Sequence, residues 1–320
     1  MTFLGIEIGG TKLQFGIGSA VDARLEALQR AAVCPADGAE GICRQIARIA
    51  RPLVERHRVA AIGIGFGGPV DMAAGQVVKS HHVAGWERFP LAAWCRETLG
   101  DSASLANDSD MAGLGEARFG AGSGRRVVFY TNVGSGIGGA LVVNQRVYVG
   151  CAGIASEIGH LRPGPQAQTP REIVELAASG WAIADAARRE AALSAELQRQ
   201  NACPAEQLTA KMVAEAAVAG SEAARAIFHR ATQVYGWAIA QAITLLSPEV
   251  IVVGGGVPLA GEKLFFAPLR EAVGRYVFPP LAERYQIVPA ALGEEVVVFG
   301  ALALARAQAE DGGTAGLFIP

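Results

Sequence analysis

Ile6-Glu7-Ile8-Gly9-Gly10-Thr11-Lys12-Leu13-Gln14-Phe15 runs strand, glycine turn, strand. About 125 residues later, Thr131-Asn132-Val133-Gly134-Ser135-Gly136-Ile137-Gly138-Gly139-Ala140-Leu141-Val142-Val143 repeats the pattern. In both, apolar and β-branched residues flank the glycines, the signature of an antiparallel hairpin. Glycine lets backbone N–H groups turn towards an anion with no Cβ in the way. The recurrence suggests two similarly built α/β halves, each opening with such a hairpin. Two cradles of this kind read as opposite jaws on one polyphosphate, which points to phosphoryl transfer.

Working outward, strand-like runs cover residues 3–8, 13–18 and 59–66. Asp37 is placed to cap a helix running towards His57, with a bend or break expected near Pro52. A helix over 91–99 stops at Gly100, a short strand covers 104–107, and a helix covers 110–119. Gly120-Ala121-Gly122-Ser123-Gly124 is the best candidate for a domain boundary. Strands follow at 127–133, 140–143 and 147–149. Thr169-Pro170-Arg171-Glu172 has capping-box spacing with proline at the first helical position, so a helix is expected to begin there. Residues 172–246 are alanine-rich and read as consecutive helices, broken only at 201–204 and Gly220. A strand at 250–253, Gly254-Gly255-Gly256, a further helix, a strand near Ile287 and a helix from about Phe299 complete the pattern.

The chain of 320 residues suits two domains, and 51% hydrophobic against 18% charged residues allows sizeable cores. A net charge of -2 gives no electrostatic case for nucleic acid or an anionic membrane as main partner. The five cysteines form no Cys-x-x-Cys pair and read as reduced thiols in a cytoplasm. The N-terminus lacks a basic segment, so no signal peptide is expected. The longest apolar run, near 235–246, is interrupted by Gln241, so no membrane span is expected either.

Gly134-Ser135-Gly136-Ile137-Gly138-Gly139 and Gly63-Ile64-Gly65-Phe66-Gly67-Gly68 both satisfy G-x-G-x-x-G. A dinucleotide fingerprint needs a helix immediately after the glycines, and here strand-like residues or Pro69-Val70-Asp71 follow instead. No Walker A Gly-Lys-Ser/Thr occurs. The backbone amides of Gly9 and Gly10, the Thr11 hydroxyl and Lys12 suit phosphate oxygens, a plain hairpin turn being the alternative. Gly254-Gly255-Gly256 offers bare backbone for a flat ring, or only a loose turn. Asn107-Asp108 ends a strand just before a helix. Asp108 there can orient a hydroxyl and take its proton late in phosphoryl transfer, or merely cap the helix. Glu157 and His160, three residues apart and flanked by glycines, can hold adjacent sugar hydroxyls. His160 as a zinc ligand lacks a cysteine cluster to complete the coordination. Glu175 is a further hydroxyl acceptor or a solvated helix residue.

In ordered combination, Gly9-Gly10-Thr11-Lys12, Gly67-Gly68-Pro69-Val70-Asp71, Asn107-Asp108, Gly134-Ser135-Gly136-Ile137-Gly138-Gly139, Glu157-Ile158-Gly159-His160 and Gly254-Gly255-Gly256 resemble the ROK family of bacterial sugar kinases. That family is the glucokinase-like branch of the actin-like ATPase superfamily. The resemblance spans Ile6 to about Ala305. It implies an α/β fold of two actin-like (ribonuclease H-like) domains with a cleft between them. The small domain would comprise 1–118 plus 300–320, and the large one 119–299 with a helical insertion. It implies ATP and Mg²⁺ as cofactors, and Asp108 as the base on the sugar 6-hydroxyl. Gly68, Asn107, Glu157, His160 and Glu175 would hold the sugar. Gly9, Gly10, Thr11, Lys12, Gly134, Ser135 and Gly136 would grip phosphates, with Gly254, Gly255 and Gly256 beside the adenosine. A homodimer acting on small molecules is expected.

This chain departs from the family pattern in four places. Glu7 stands where members usually carry Asp, which makes it a candidate Mg²⁺ contact of altered geometry. The zinc-binding cysteines after Gly159-His160 are absent, so no zinc is expected. His82 replaces a common Asn ahead of Gly85-Trp86, and Asp110 another common Asn. The latter is associated with polyphosphate-using glucokinases. The expectation is phosphorylation of a hexose, glucose first. N-acetylmannosamine or another N-acetylhexosamine, fructose, a polyphosphate donor, or a binding homologue with impaired catalysis are the alternatives.

Overall fold

The first glycine stretch folds into a hairpin in which β1 (Phe3–Ile8) pairs antiparallel with β2 (Lys12–Gly18), Ile6 opposite Phe15 and Glu7 opposite Gln14. The computed structural model describes residues 1–80, 83–151, 153–310 and 312–319. His82 lies outside them. Two compact units divide the chain: unit 1 holds residues 1–130, 140–156 and 290–320, and unit 2 holds 131–139 and 157–289.

In unit 1, β3 (Ala27–Ala32) adds antiparallel to β2, and α1 (Gly38–His57) leads to β4 (Ile62–Phe66), parallel to β1. A two-stranded ribbon of β5 (Val70–Asp71) and β6 (Gln76–Val77) precedes α2 (Leu91–Leu99) and β7 (Ala103–Asn107), which is parallel to β4. The sheet order is β3-β2-β1-β4-β7. One face carries Leu4, Ile6, Ile8 and Phe15 against Ile42, Ile46 and Leu53 of α1 and Leu91 of α2. Directly after β7 comes α3 (Asp108–Phe119), and then β8 (Val127–Val133), β9 (Ile137–Val143) and β10 (Arg146–Tyr148).

Unit 2 contains the tip of the β8–β9 hairpin. After it come the short α4 (Glu175–Ala178), α5 (Gly180–Arg189), α6 (Ala191–Asn201), α7 (Ala210–Ala219) and the 25-residue α8 (Glu222–Leu246). β11 (Val250–Gly254), α9 (Ala267–Tyr276) and β12 (Gln286–Pro289) complete it, β11 and β12 pairing in parallel. The chain then returns to unit 1 as α10 (Val296–Glu310) and β13 (Phe318–Ile319), the latter parallel to β10. The second sheet has the order β12-β11-β8-β9-β10-β13.

The second face of the first sheet is built around α10. Val298, Phe299, Leu302 and Ala305 pack with Phe3 and Ala61. Glycines let backbones approach here: a Cβ on Gly5 would lie 2.6 Å from the Val298 carbonyl oxygen, and one on Gly115 2.6 Å from that of Val296. The Glu116 side chain, fully buried, ties this region together. One of its oxygens accepts from Ala291 N and Leu292 N, both at 2.9 Å, and the other from Ala121 N at 2.7 Å. A buried carboxylate is tolerable when backbone donors surround it in this way.

Three expectations need correction. α1 is not broken at Pro52: Ala50, Leu53 and Val54 anchor its last turns in the core. No helix begins at Pro170: Glu172 does reach back, but to Gln168 N at 2.6 Å, and Val174 N bonds the Leu161 carbonyl at 2.9 Å. These bonds close a loop, and helix starts only at Glu175. The helical stretch has further breaks at Ser179 and Glu190, and β3 is a strand the sequence pattern did not suggest.

Candidate functional site

In unit 1 the first glycine turn is closed by Gly9 N donating to the Lys12 carbonyl at 3.0 Å, which leaves Gly10 and an exposed Thr11 at the tip. Glu7, only 7% exposed, lies below it. Gln14 Nε2 donates to Glu7 Oε2 at 2.6 Å and also to the Glu294 carbonyl at 2.6 Å. Lys12 Nζ sits 3.5 Å from Glu7 Oε1 and 3.5 Å from the same Glu294 carbonyl. Arg30 Nε donates to Gln14 Oε1 at 2.9 Å, and its guanidinium pairs with Glu295. Burial raises the Glu7 carboxyl above the usual carboxylate range, with Lys12 and Gln14 opposing the rise.

Asp108 belongs to the same neighbourhood. A Cβ built on Gly67 would lie 3.3 Å from Asp108 Oδ2, 3.4 Å from the Ile8 carbonyl oxygen and 3.6 Å from Gly9 Cα. The carboxylate is therefore separated from the first glycine turn by little more than Gly67. The cap of α3 is Asn107: its Oδ1 accepts from Ser109 N at 2.8 Å and Asp110 N at 3.3 Å. Its Nδ2 donates to the Gly68 carbonyl at 3.1 Å, which fixes the loop opposite. Asp110 is buried in the first turn of that helix.

In unit 2 the second turn is closed by Gly134 N donating to the Gly136 carbonyl at 2.9 Å. Gly180 N bonds the Gly134 carbonyl at 2.8 Å and Trp181 N the Ser135 carbonyl at 3.4 Å, so the start of α5 is fastened to the turn. Gly180 permits this approach, since a Cβ there would lie 2.6 Å from the Gly134 oxygen. Glu175 Oε2 accepts from Ile137 N at 2.8 Å, immediately beside Gly136. Gly255 adopts a φ of +94°, and a Cβ there would lie 2.3 Å from the Val133 carbonyl oxygen; Gly256 follows it. Thr131 Oγ1 donates to the Gly138 carbonyl at 2.8 Å and meets the buried Tyr235 hydroxyl at 2.8 Å.

Glu157 precedes a single turn of 3₁₀ helix (Ile158–His160) that ends in His160, His160 N donating to the Glu157 carbonyl at 3.0 Å. Desolvation raises the Glu157 carboxyl, His160 lowers it and Glu175 raises it, so the three charges share one locality. Because Glu157 as a residue stays exposed, water screens these effects. A cavity of about 1090 Å³ also lies in unit 2, lined by Gly134, Ser135, Trp181, Val218, Gly256 and Leu259 among others. The structure thus brings Gly134, Ser135 and Gly256 together. It adds Gly180 and Trp181, which the sequence reading missed; a serine before Gly180, a common helix-capping residue, is the signal that could have marked them. Gln14 and Glu294 were also missed, since nothing in the spacing of 7, 14 and 294 marks them as partners. Among the described residues no group of three or more His, Cys, Asp or Glu side chains could hold a metal ion. None of their helices is long and apolar enough to cross a membrane.

The ROK family model matches residues 3–308. The chain belongs to the ROK family. It is 30% identical over 311 residues to the glucokinase of Thermotoga maritima, covering 96% of this chain and 98% of that protein. It is 33% identical over 304 residues to the bifunctional enzyme NanE/NanK of Brucella melitensis, covering 94% of this chain and 53% of that protein. In structure it is similar to a ROK family glucokinase from Streptomyces griseus in complex with glucose and AMPPNP. The TM-score is 0.83 at 29% identity, over 96% of this chain and 99% of that one.

Proposed function

We propose that this protein is a sugar kinase that transfers the γ-phosphoryl group of ATP to a hexose hydroxyl, with glucose as the first acceptor. The observation that carries the reading is the placement of Asp108 Oδ2 beside Gly67, next to the Gly9 turn. A base and a phosphate-binding turn in one neighbourhood are what phosphoryl transfer to an alcohol requires. The sugar hydroxyl oxygen attacks the γ-phosphorus, ADP leaves, and the hydroxyl proton passes to Asp108. Asn107 serves this step by shaping: in capping α3 and holding Gly68, it fixes where Asp108 points. Glu157, His160 and Glu175 hold the remaining hydroxyls. Gly10, Thr11 and Lys12 contact phosphate in unit 1, and Gly134, Ser135 and Gly136 in unit 2.

Mg²⁺ enters with the nucleotide as part of the substrate. Glu7 does not suit direct coordination, because Gln14 and Lys12 occupy its two oxygens and its carboxyl is raised. Its part is to hold the first turn in place. N-acetylmannosamine, an alternative acceptor from the sequence reading, is the second to test. The experiment is a sugar-by-donor screen with Asp108→Ala alongside. Glucose 6-phosphate should form from glucose and ATP, and the variant should lose roughly 10²–10⁴-fold in kcat. Near-normal turnover by Asp108→Ala would remove that residue from the mechanism.

A further inference from the structure

We infer that Trp181 is the residue that makes the phosphoryl donor of this protein a purine nucleoside triphosphate rather than inorganic polyphosphate, by giving the base an aromatic surface in the unit 2 cavity. The inference rests on the kinase reading above and goes beyond it. Three large apolar side chains are left open to solvent around this one cavity: Trp181 at 57% exposure, Val218 at 73% and Leu259 at 86%. Exposed apolar groups gathered at a concave site mark a ligand surface, and a flat aromatic ligand is what an indole accepts best. The occupant is set by continuity with the phosphate turn, because Gly134 and Ser135 line the same cavity.

Charge disfavours the competing donor. The cavity's cations are Arg188 and Lys211 and its anions Glu206 and Glu215, which sum to zero. Arg188 is committed to backbone carbonyls, and Lys211 has a carboxylate beside it. Arg188 Nε donates to the Ala205 carbonyl at 3.0 Å and its Nη2 to that of Leu208 at 3.1 Å. Lys211 Nζ lies 3.9 Å from Glu215 Oε1, one helical turn away. The amides at the start of α5 are also committed: Gly180 N to Gly134, Trp181 N to Ser135, and Ala182 N to the Ser179 hydroxyl at 3.2 Å. A polyphosphate chain running past the turn would meet apolar surface and neutralised charge. A purine would meet an indole whose backbone is bonded directly to the phosphate turn, so base and phosphate surfaces are held in fixed relation.

The test compares wild type, Trp181→Phe and Trp181→Ala with ATP and with inorganic tripolyphosphate. Losing one base–aromatic stack should raise the KM for ATP by about tenfold or more in Trp181→Ala, with kcat little changed and Trp181→Phe in between. Adding ADP should quench the fluorescence of wild type more than that of Trp181→Phe, and tripolyphosphate should quench neither. An unchanged KM for ATP in Trp181→Ala, equal quenching by tripolyphosphate, or efficient turnover with polyphosphate would overturn the inference. If wild type phosphorylates no hexose, the kinase reading fails while the ADP quenching still decides the role of Trp181.

Discussion

Replacing Gly180 with alanine tests how tightly the second glycine turn, the proposed phosphate contact of unit 2, depends on its support. Alanine normally stabilises a helix by about 1 kcal/mol over glycine, so an unobstructed site would gain. Here the new Cβ would lie 2.6 Å from the Gly134 carbonyl oxygen and 3.4 Å from Val257 Cγ2. To reach an ordinary separation of 3.4 Å, turn and helix must part by about 0.8 Å. That displacement lengthens the Gly180 N to Gly134 bond of 2.8 Å and the weaker Trp181 N to Ser135 bond beyond it. Overpacking of this kind costs about 1–3 kcal/mol, which outweighs the helix gain. Misplacing a phosphate-binding group by most of an ångström costs up to roughly 10²-fold in rate. Thermal unfolding together with kcat/KM for ATP measures both consequences. A variant at least as stable as wild type, with unaltered kcat/KM, would refute the close-approach argument.

Two further perturbations address unit 1. Glu116→Ala strands the N–H groups of Ala121, Ala291 and Leu292, which at about 1–3 kcal/mol for each unsatisfied donor should cost about 3 kcal/mol or more, readable as a fall in Tm of roughly 6 °C or more. A shift within 1 °C (on the order of 0.5 kcal/mol or less) would show that the three donors find water instead. For Glu7, the folded state holds its proton where the unfolded chain, near the ordinary 4.5, has lost it. Its contribution to stability is therefore full below that value and is lost as pH rises through the raised one. Relative to wild type, Glu7→Gln should gain in urea midpoint as pH climbs from about 4.5 to 7. Parallel pH profiles for the two proteins would contradict the burial of that carboxyl.

Both glycine hairpins were legible because their information is local: apolar flanks with a turn that only glycine makes easily. The β7–α3 junction was legible for the same reason, although the capping side chain proved to be Asn107 rather than Asp108. Strand β3 was not, since Ala-Leu-Gln-Arg-Ala-Ala carries helix-forming residues and is extended only because β2 offers an edge, Gln14 opposite Arg30. The Thr169-Pro170 start misled because a capping box is a local signal, whereas the loop is closed from Leu161 to Val174. In the candidate site, the residues proposed to carry the chemistry were picked out by type and local spacing. Those that fix them, such as Gln14 with Glu294 or Gly180 with Gly134, come together only through long-range folding.

The way α10 is sealed against the first sheet has a consequence for biosynthesis. β1, β2 and β4 are made early, yet their second face is filled by a helix that begins at residue 296, roughly 230 residues after β4 ends. At ~5–20 residues per second a ribosome needs about 10–50 s to supply it. Throughout that interval Phe3 and Ala61 lack their native cover, and the second face of the first sheet stays open apolar surface until the last tenth of the chain emerges.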